Sequence, residues 1–242
     1  MSQNRNGAKT ALDIQAIDSF YGELQVLRKA SLKLHESEVV ALFGPNGHGK
    51  STLLKAIAGL HPPVAGSIKY MGEDIAAMPS EKIVERGIAY IPEARNLFTD
   101  MSVLENLRLG AYNRKARANV AENLDYVLAL FPRLKEREHQ IAATLSGGES
   151  RMLAVGRGLM SGASLLLIDE PSIGLSPIMK KTVFGAIEKI KNETNMTVLI
   201  VEQEVDYSLK LADRVYLLKK GQVIMEKPAD EISKADIEKA YF

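Results

Sequence analysis

The stretch VVALFGPNGHGKSTLLKAIAGL, residues 39–60, decides the fold of this chain. Its first five residues are apolar and suit a strand that is buried on both faces, whereas TLLKAIAGL has a helical pattern. Between them, GPNGHGKS (44–51) fits G-x-x-x-x-G-K-[ST], a loop that holds phosphate between a strand and a helix. The alternative is a glycine turn without a ligand, and the strand-loop-helix context argues against it.

The glycines of this loop allow successive backbone N–H groups to face a phosphate, and the helix N-terminus adds positive potential. We expect Lys50 to reach the β- and γ-phosphates of ATP and Ser51 to bind Mg²⁺. The residues predicted to hold the nucleotide in this loop are Gly44, Pro45, Asn46, Gly47, His48, Gly49, Lys50, Ser51 and Thr52.

Three further apolar runs are nearly continuous and suit buried strands: IAYI (88–91), LLLI (165–168) and VLIV (198–201). Helical patterns separate them, which predicts a mainly parallel sheet in an α/β core. Ligands bind beyond the carboxyl ends of the strands in such sheets, so the polar residues at these ends should converge on one site. Those residues are Glu93, Asp169, Glu170 and Gln203.

The pair Asp169–Glu170 in LLLIDEP (165–171) suits two different tasks. Asp169 can hold Mg²⁺ through water, and Glu170, one residue further out, can act as general base toward an attacking water. Two solvated acids in a loop are the alternative, which the preceding apolar strand disfavours. For Gln203 the alternative is a residue that merely caps its strand.

The rest of the chain predicts two additions to this core. Residues 12–38 alternate like a hairpin, and 66–75 suggest another strand of the same antiparallel sheet. Residues 95–160 carry helix signals and no strong strand, with capping boxes at 102–105 and 146–149 and an amphipathic segment over 115–131 that stops at Pro132.

We therefore expect a disordered tail over 1–10 and a single domain over 11–242. In that domain, residues 11–94 and 161–242 form the α/β core with its antiparallel β subdomain, and residues from about 95 to 160 form a helical subdomain.

The composition excludes several classes of protein. The 31 basic and 30 acidic residues nearly balance, so no charge excess favours nucleic acid, and the absence of cysteine excludes disulfides and thiolate metal sites. No apolar run approaches the roughly 18 residues that a membrane span needs, and the first ten residues do not resemble a signal peptide. We expect a soluble chain.

LSGGE (145–149) opens a helix, and alone it would be read as an ordinary capped helix. Together, GPNGHGKST, LSGGE and LLLIDEP resemble the ATP-binding cassette (ABC) ATPase family over nearly the whole chain from about residue 12. The resemblance implies a RecA-like P-loop core with an inserted helical subdomain. It also implies a head-to-tail dimer in which Ser146, Gly147, Gly148 and Glu149 close over the ATP of the partner chain.

By the same resemblance, Tyr21 in FYGELQVL stacks on adenine, and Glu93 stands where most relatives place a Gln that meets Mg²⁺. Gln203 takes the position of a His that contacts the γ-phosphate and the attacking water in many relatives. Ser150–Arg151 departs from the LSGGEQQ of relatives, and the sequence suggests no role for it.

The segments YIPEARNLFTDMSVLENL, DEPSIGLSP and TVLIVEQEVDY resemble the ATPases of branched-chain amino-acid importers, of the LivF subunit type. This resemblance implies an ATPase on the cytoplasmic face of a bacterial or archaeal membrane. Its partners are permease subunits, a second ATPase chain that is a sister or a copy, and indirectly a solute-binding protein. The alternatives are an ATPase of a urea importer, an ABC ATPase without a transport role, and an unrelated P-loop kinase.

Overall fold

The computed structural model describes residues 9–241. Within them, the strands are β1 (Thr10–Tyr21), β2 (Leu24–His35), β3 (Val39–Phe43), β4 (Ala65–Tyr70), β5 (Glu73–Asp74), β6 (Ile88–Ile91), β7 (Leu165–Asp169), β8 (Thr197–Glu202), β9 (Arg214–Lys219) and β10 (Gln222–Pro228). The α-helices are α1 (Lys50–Ile57), α2 (Ser80–Glu85), α3 (Val103–Gly110), α4 (Arg114–Ala118), α5 (Val120–Leu130), α6 (Pro132–Glu136), α7 (Gly147–Leu159), α8 (Pro177–Glu193), α9 (Val205–Leu211) and α10 (Lys234–Tyr241).

Two sheets form the framework of the described part of the chain. The larger has six strands in the order β10-β9-β3-β8-β7-β6, in which the pairs from β9 to β6 are parallel and β10 is antiparallel. The smaller has the order β2-β1-β4-β5 and is antiparallel. The predicted class, a mainly parallel P-loop core with an N-terminal antiparallel sheet, is confirmed.

The central strands are apolar between their end residues because both faces of the larger sheet are covered. Leu165 and Leu167 of β7 pack in the cluster that includes α1 and the antiparallel sheet. The alternate residues Leu166 and Ile168 pack instead in the cluster formed by the helices α3, α5, α7 and α8. Side chains of a strand alternate between faces, so a doubly covered strand has no polar position until it ends.

The predicted strands are all present with small differences in their bounds, and β9 and β10 are further strands that the sequence did not predict. β3 and β6 have the predicted bounds, whereas β7 and β8 extend to Asp169 and Glu202. The segment 66–75 contains a β4–β5 hairpin and not one strand. β1 begins at Thr10, inside the predicted tail, and residues 1–8 lie outside the described residues.

Helices α3 to α7 occupy the chain between β6 and β7. The capping boxes are formed: Ser102 caps α3 with Glu105, and Ser146 caps α7 with Glu149. The amphipathic segment over 115–131 is divided at Asn119, which ends α4 and precedes α5. Asn competes with helical hydrogen bonding through its own side chain, which favours such a break.

Among the described helices, none combines the length and the apolar character that a membrane crossing requires.

Candidate functional site

The carboxyl ends of four parallel strands meet at one edge of the larger sheet. Phe43 of β3 pairs with Glu202 of β8, Val201 of β8 pairs with Asp169 of β7, and Ile168 of β7 pairs with Ile91 of β6. A cavity of about 400 Å³ opens beyond these ends. It is lined by Tyr21, Val26, Asn46, Gly47, Gly49, Lys50, Ser51, Thr52, Glu93, Glu170, Ile173 and Gln203.

In the loop between β3 and α1, Gly44 and Gly49 leave no room for a side chain unless neighbouring atoms move. A Cβ at Gly44 would lie 2.3 Å from the backbone oxygen of Leu218. Gly49 has φ +103°, and a Cβ there would lie 2.9 Å from the side chain of Leu27. No side chain caps α1, so its first N–H groups are left for the loop and its ligand.

Lys50 lies at the floor of this cavity, where its side chain is only 5% exposed. Its Nζ donates to the Gly44 carbonyl at 2.8 Å and lies 3.3 Å from Oε1 of Glu170. Pro45 and His48 shape the loop and do not line the cavity: both the Lys50 ammonium and the His48 N–H donate to the Pro45 carbonyl. The loop thus concentrates positive charge beside a buried carboxylate.

Ser51 and Asp169 are brought together as the sequence predicts. The Ser51 hydroxyl donates to Oδ1 of Asp169 at 3.0 Å, and the Tyr90 hydroxyl donates to Oδ2 at 2.9 Å. Burial raises the pKa of Asp169, and the hydrogen bonds from Tyr90 and Ser51 oppose that rise. Tyr90 was not predicted from the sequence, since its contact with Asp169 depends on the pairing of β6 with β7.

The donor set at this edge fits Mg²⁺. Ser51 and Glu93 line the cavity, and with Asp169 they also line an adjoining cleft. All three offer oxygen atoms, the ligand type that Mg²⁺ prefers, and the hydroxyl and carboxylate of Ser51 and Asp169 already lie within hydrogen-bond distance. When bound, Mg²⁺ would neutralise charge on the phosphate oxygens of a nucleotide.

Glu170 and Gln203 meet directly. Nε2 of Gln203 donates to Oε1 of Glu170 at 3.1 Å, the same oxygen that faces Lys50. The Glu170 backbone has φ +47°, which is rare for a residue with a Cβ. Its N–H donates to the Val201 carbonyl at 2.9 Å, which helps to hold this conformation.

Glu202, the last residue of β8, binds backbone N–H groups of the segments next to Glu170 and Gln203. Its carboxylate accepts the N–H groups of Ser172 at 2.8 Å and of Gln203 at 3.1 Å. The side chain is fully buried, and this burial raises its pKa to about 7. Glu202 therefore links the segment after β7 to the residue that contacts Glu170.

Tyr21 lies at the rim of the cavity with 46% of its surface exposed. Its ring stacks on His61, with centroids 4.2 Å apart and an interplanar angle of 12°. The exposed ring area can take a planar base. His61 was not predicted, because it lies forty residues from Tyr21 and only the fold brings the two rings together.

The residues Ser146 to Glu149 of the LSGGE motif lie at the start of α7 and are not among the residues that line the cavity. The Ser146 hydroxyl accepts the Glu149 N–H, and the Glu149 carboxylate forms an ion pair with Arg137 at 2.8 Å. A Cβ at Gly148 would lie 2.4 Å from the side chain of Met179. The motif is built as a rigid helix start that contributes nothing to the cavity of its own chain.

Comparison with known proteins agrees with this geometry. The model of the ABC transporter family matches residues 27–173. The chain is 44% identical over 214 residues to the high-affinity branched-chain amino acid transport ATP-binding protein BraG of Pseudomonas aeruginosa, which covers 88% of this chain and 91% of BraG. It is 37% identical over 216 residues to a probable branched-chain amino acid transport ATP-binding protein LivF of Archaeoglobus fulgidus. The aligned region covers 89% of this chain and 91% of that protein.

A solved ATP-binding cassette of an ABC transporter, in its ADP conformation, matches with a TM-score of 0.80 over 96% of this chain and 94% of its own. At 24% identity this similarity supports the fold alone. The family model and the relatives also identify the family of the chain. The chain belongs to the ABC transporter family, as one of its ATP-binding subunits.

Proposed function

We propose that this chain is the ATP-hydrolysing subunit of an importer of branched-chain amino acids. The observation that carries the hydrolytic part is the convergence of Lys50 and Gln203 on one carboxylate oxygen of Glu170 at the cavity floor. The similarity to BraG and LivF supports the choice of solute, since both are ATP-binding proteins of branched-chain amino acid transport.

The geometry suits attack of water on the γ-phosphate of ATP. Glu170 acts as general base and takes the proton of the attacking water through its free carboxylate oxygen. Gln203 offers an N–H donor and a carbonyl acceptor, so it orients Glu170 and the water together. Lys50 turns its ammonium from Glu170 to the β- and γ-phosphates and stabilises the charge that develops there.

Three other groups bind the substrate. The backbone N–H groups of residues 46–51 face the phosphates, and the exposed face of Tyr21 stacks on adenine. Ser51, Asp169 and Glu93 would hold Mg²⁺, which would supply positive charge to the phosphate oxygens as the bond between the γ-phosphorus and ADP breaks.

A second ATPase chain completes the site. Ser146, Gly147, Gly148 and Glu149 lie away from the cavity of their own chain, which supports their use on the ATP of a partner arranged head to tail. The partner is a sister subunit or a second copy. Binding of ATP closes the two chains, and hydrolysis reopens them.

The permease subunits contact an apolar groove beside the helical region. This groove has a volume of about 390 Å³ and is rimmed by Phe98, Leu109, Tyr112 and Arg157. Phe98 is half exposed, and its ring lies 5.5 Å from the guanidinium carbon of Arg157. Leu97, which precedes Phe98 in the chain, packs instead against the core. The complex lies on the cytoplasmic face of the membrane and is fed by a solute-binding protein.

The test is uptake by the reconstituted system. The chain is co-expressed with the permease subunits and solute-binding protein of a branched-chain amino-acid importer from the same organism, purified and placed in proteoliposomes with internal ATP. We expect ATP-dependent uptake of radiolabelled leucine, isoleucine or valine, and loss of uptake but not of basal ATP hydrolysis with Phe98→Asp. Uptake of urea without uptake of the amino acids would replace the solute. Failure of the chain to associate with any permease would contradict the transport role.

A further inference from the structure

Arg151 lies on the second turn of α7. Among the described residues it is the largest side chain that is fully buried. Its Nη1 donates to the Pro92 carbonyl at 3.0 Å. Its Nη2 donates to the Glu93 carbonyl at 2.9 Å and to the Glu170 carbonyl at 3.2 Å. One guanidinium therefore binds three backbone carbonyls from the ends of two neighbouring strands.

These carbonyls belong to the parts of the chain that carry the proposed chemistry. The Glu93 carbonyl belongs to a predicted Mg²⁺ ligand, and the Glu170 carbonyl belongs to the peptide bond between the proposed base and Pro171. Glu170 has φ +47°, a conformation that needs external support to persist. Arg151 bonds to the carbonyl of that residue, and Val201 binds its N–H.

Burial lowers the pKa of Arg151 because it disfavours the charged guanidinium, and charged neighbours act on the same group in both directions. Glu202, Glu93 and Asp169 attract the Arg151 charge, whereas Arg95 repels it. A buried charge is costly unless it is hydrogen-bonded and balanced. The two strand ends give Nη1 and Nη2 three hydrogen bonds, while Nε of Arg151 has no partner among the described residues.

We propose that Arg151 is a positioning residue for ATP hydrolysis, which holds Glu170 and the Glu93 loop in register with α7. This inference rests on the proposed function and adds a residue to it. Because Ser146 to Glu149 begin the same helix, Arg151 couples the motif that faces a partner's ATP to the catalytic edge of its own chain. Closure of the dimer and the position of the base are then linked through one side chain.

In this chain, arginine is suited to bridging the two strand ends. Its planar fork presents donors on separate nitrogens, which allows simultaneous bonds to carbonyls of residues 92, 93 and 170. Lysine carries all its donors on one nitrogen, and glutamine has a single amide nitrogen, so neither can bridge the two strand ends in the same way.

The experiment uses the full chain with Arg151→Gln and, in case this variant folds poorly, Arg151→Lys. We expect kcat for phosphate release to fall about tenfold or more, since bonds to charged groups are being lost. The Kd of a fluorescent ATP analogue should change by less than about threefold, because Arg151 touches no residue of the phosphate loop. Arg214→Gln is the matched control: Arg214 binds the Glu38 carboxylate at 2.9 Å away from the cavity, so its loss should lower the Tm and leave kcat per folded molecule unchanged.

The second readout separates positioning from general destabilisation. In a Glu170→Gln background, Arg151→Gln should lower kcat by less than about threefold, because the base that it positions has already been disabled and only its hold on the Glu93 loop remains to be lost. A further tenfold loss in that background, or an unchanged kcat in the single variants, would overturn the inference while leaving the ATPase function intact. A wild-type chain that never hydrolyses ATP, alone or with its permease, would overturn the proposed function and this inference with it.

Discussion

Gln203→Ala is the substitution whose effect can be worked most directly from the structure. The variant removes the hydrogen bond of 3.1 Å between Nε2 of Gln203 and Oε1 of Glu170. A hydrogen bond to a charged group contributes about 1.5–3 kcal/mol, and about 1.4 kcal/mol corresponds to a factor of ten. Without it, Oε1 of Glu170 has no partner that fixes the carboxylate toward the attacking water once Lys50 has turned from Glu170 to the phosphates. We therefore expect kcat to fall about 10- to 150-fold, with little change in ATP affinity.

The assay is steady-state phosphate release as a function of pH, with nucleotide binding measured separately. Gln203→His should retain at least a tenth of the wild-type kcat, because a ring N–H can replace the amide donor. It should also gain an acid limb near pH 6.5 that the wild type lacks, since histidine titrates there and glutamine does not. Gln222→Ala, an exposed position on β10, is the control. An alanine variant at position 203 within twofold of wild type would refute the role and leave Gln203 a strand cap.

Three further predictions concern other parts of the site. Tyr21→Ala should raise the Kd for ATP about 5- to 150-fold and Tyr21→Phe should not, as measured with a fluorescent nucleotide; equal effects of the two would contradict stacking on the base. Ser51→Ala should raise the Mg²⁺ concentration needed for half-maximal hydrolysis, and an unchanged Mg²⁺ dependence would remove Ser51 as a ligand. Burial raises the pKa of Glu202 to about 7 from an ordinary value near 4.5. Between these values the folded chain holds a proton that the unfolded chain lacks, so this group lowers the free energy of unfolding as pH rises. With Glu202→Gln, the free energy of unfolding should fall less steeply as pH rises from 5 to 7, as measured by denaturant titration. An equal slope in the variant and the wild type would contradict this.

The strands were predictable because each has a simple physical signature. β3 and β6 have the expected bounds, since a strand covered on both faces is apolar until it ends. The same logic placed Asp169, Glu170 and Gln203 at one edge, because parallel strands all end there. The class of the fold follows from these features together with the phosphate loop.

The contacts that the sequence did not predict are long-range. Arg151 meets Glu170 across nineteen positions, and Tyr90 meets Asp169 across 79. The partner of Arg151 is a backbone carbonyl, and the partner of Tyr90 is a carboxylate on the neighbouring strand. Both contacts depend on the order of the strands in the sheet and not on the local sequence pattern. The stack of Tyr21 on His61 is of the same kind. The break at Asn119 is a local feature. Its prediction would have required that one asparagine outweigh the helical pattern of the residues around it.

Glu170→Gln tests the central claim most directly, because it replaces a carboxylate with an amide of the same shape at a side chain that is 6% exposed. The measurement is single-turnover phosphate release, together with the mass of the ATP-bound species by light scattering. A general base contributes about 10²- to 10⁴-fold, so we expect a loss of that size, unimpaired ATP binding and an accumulated dimer. Phosphate release at the wild-type rate would contradict the assignment of Glu170 as the base.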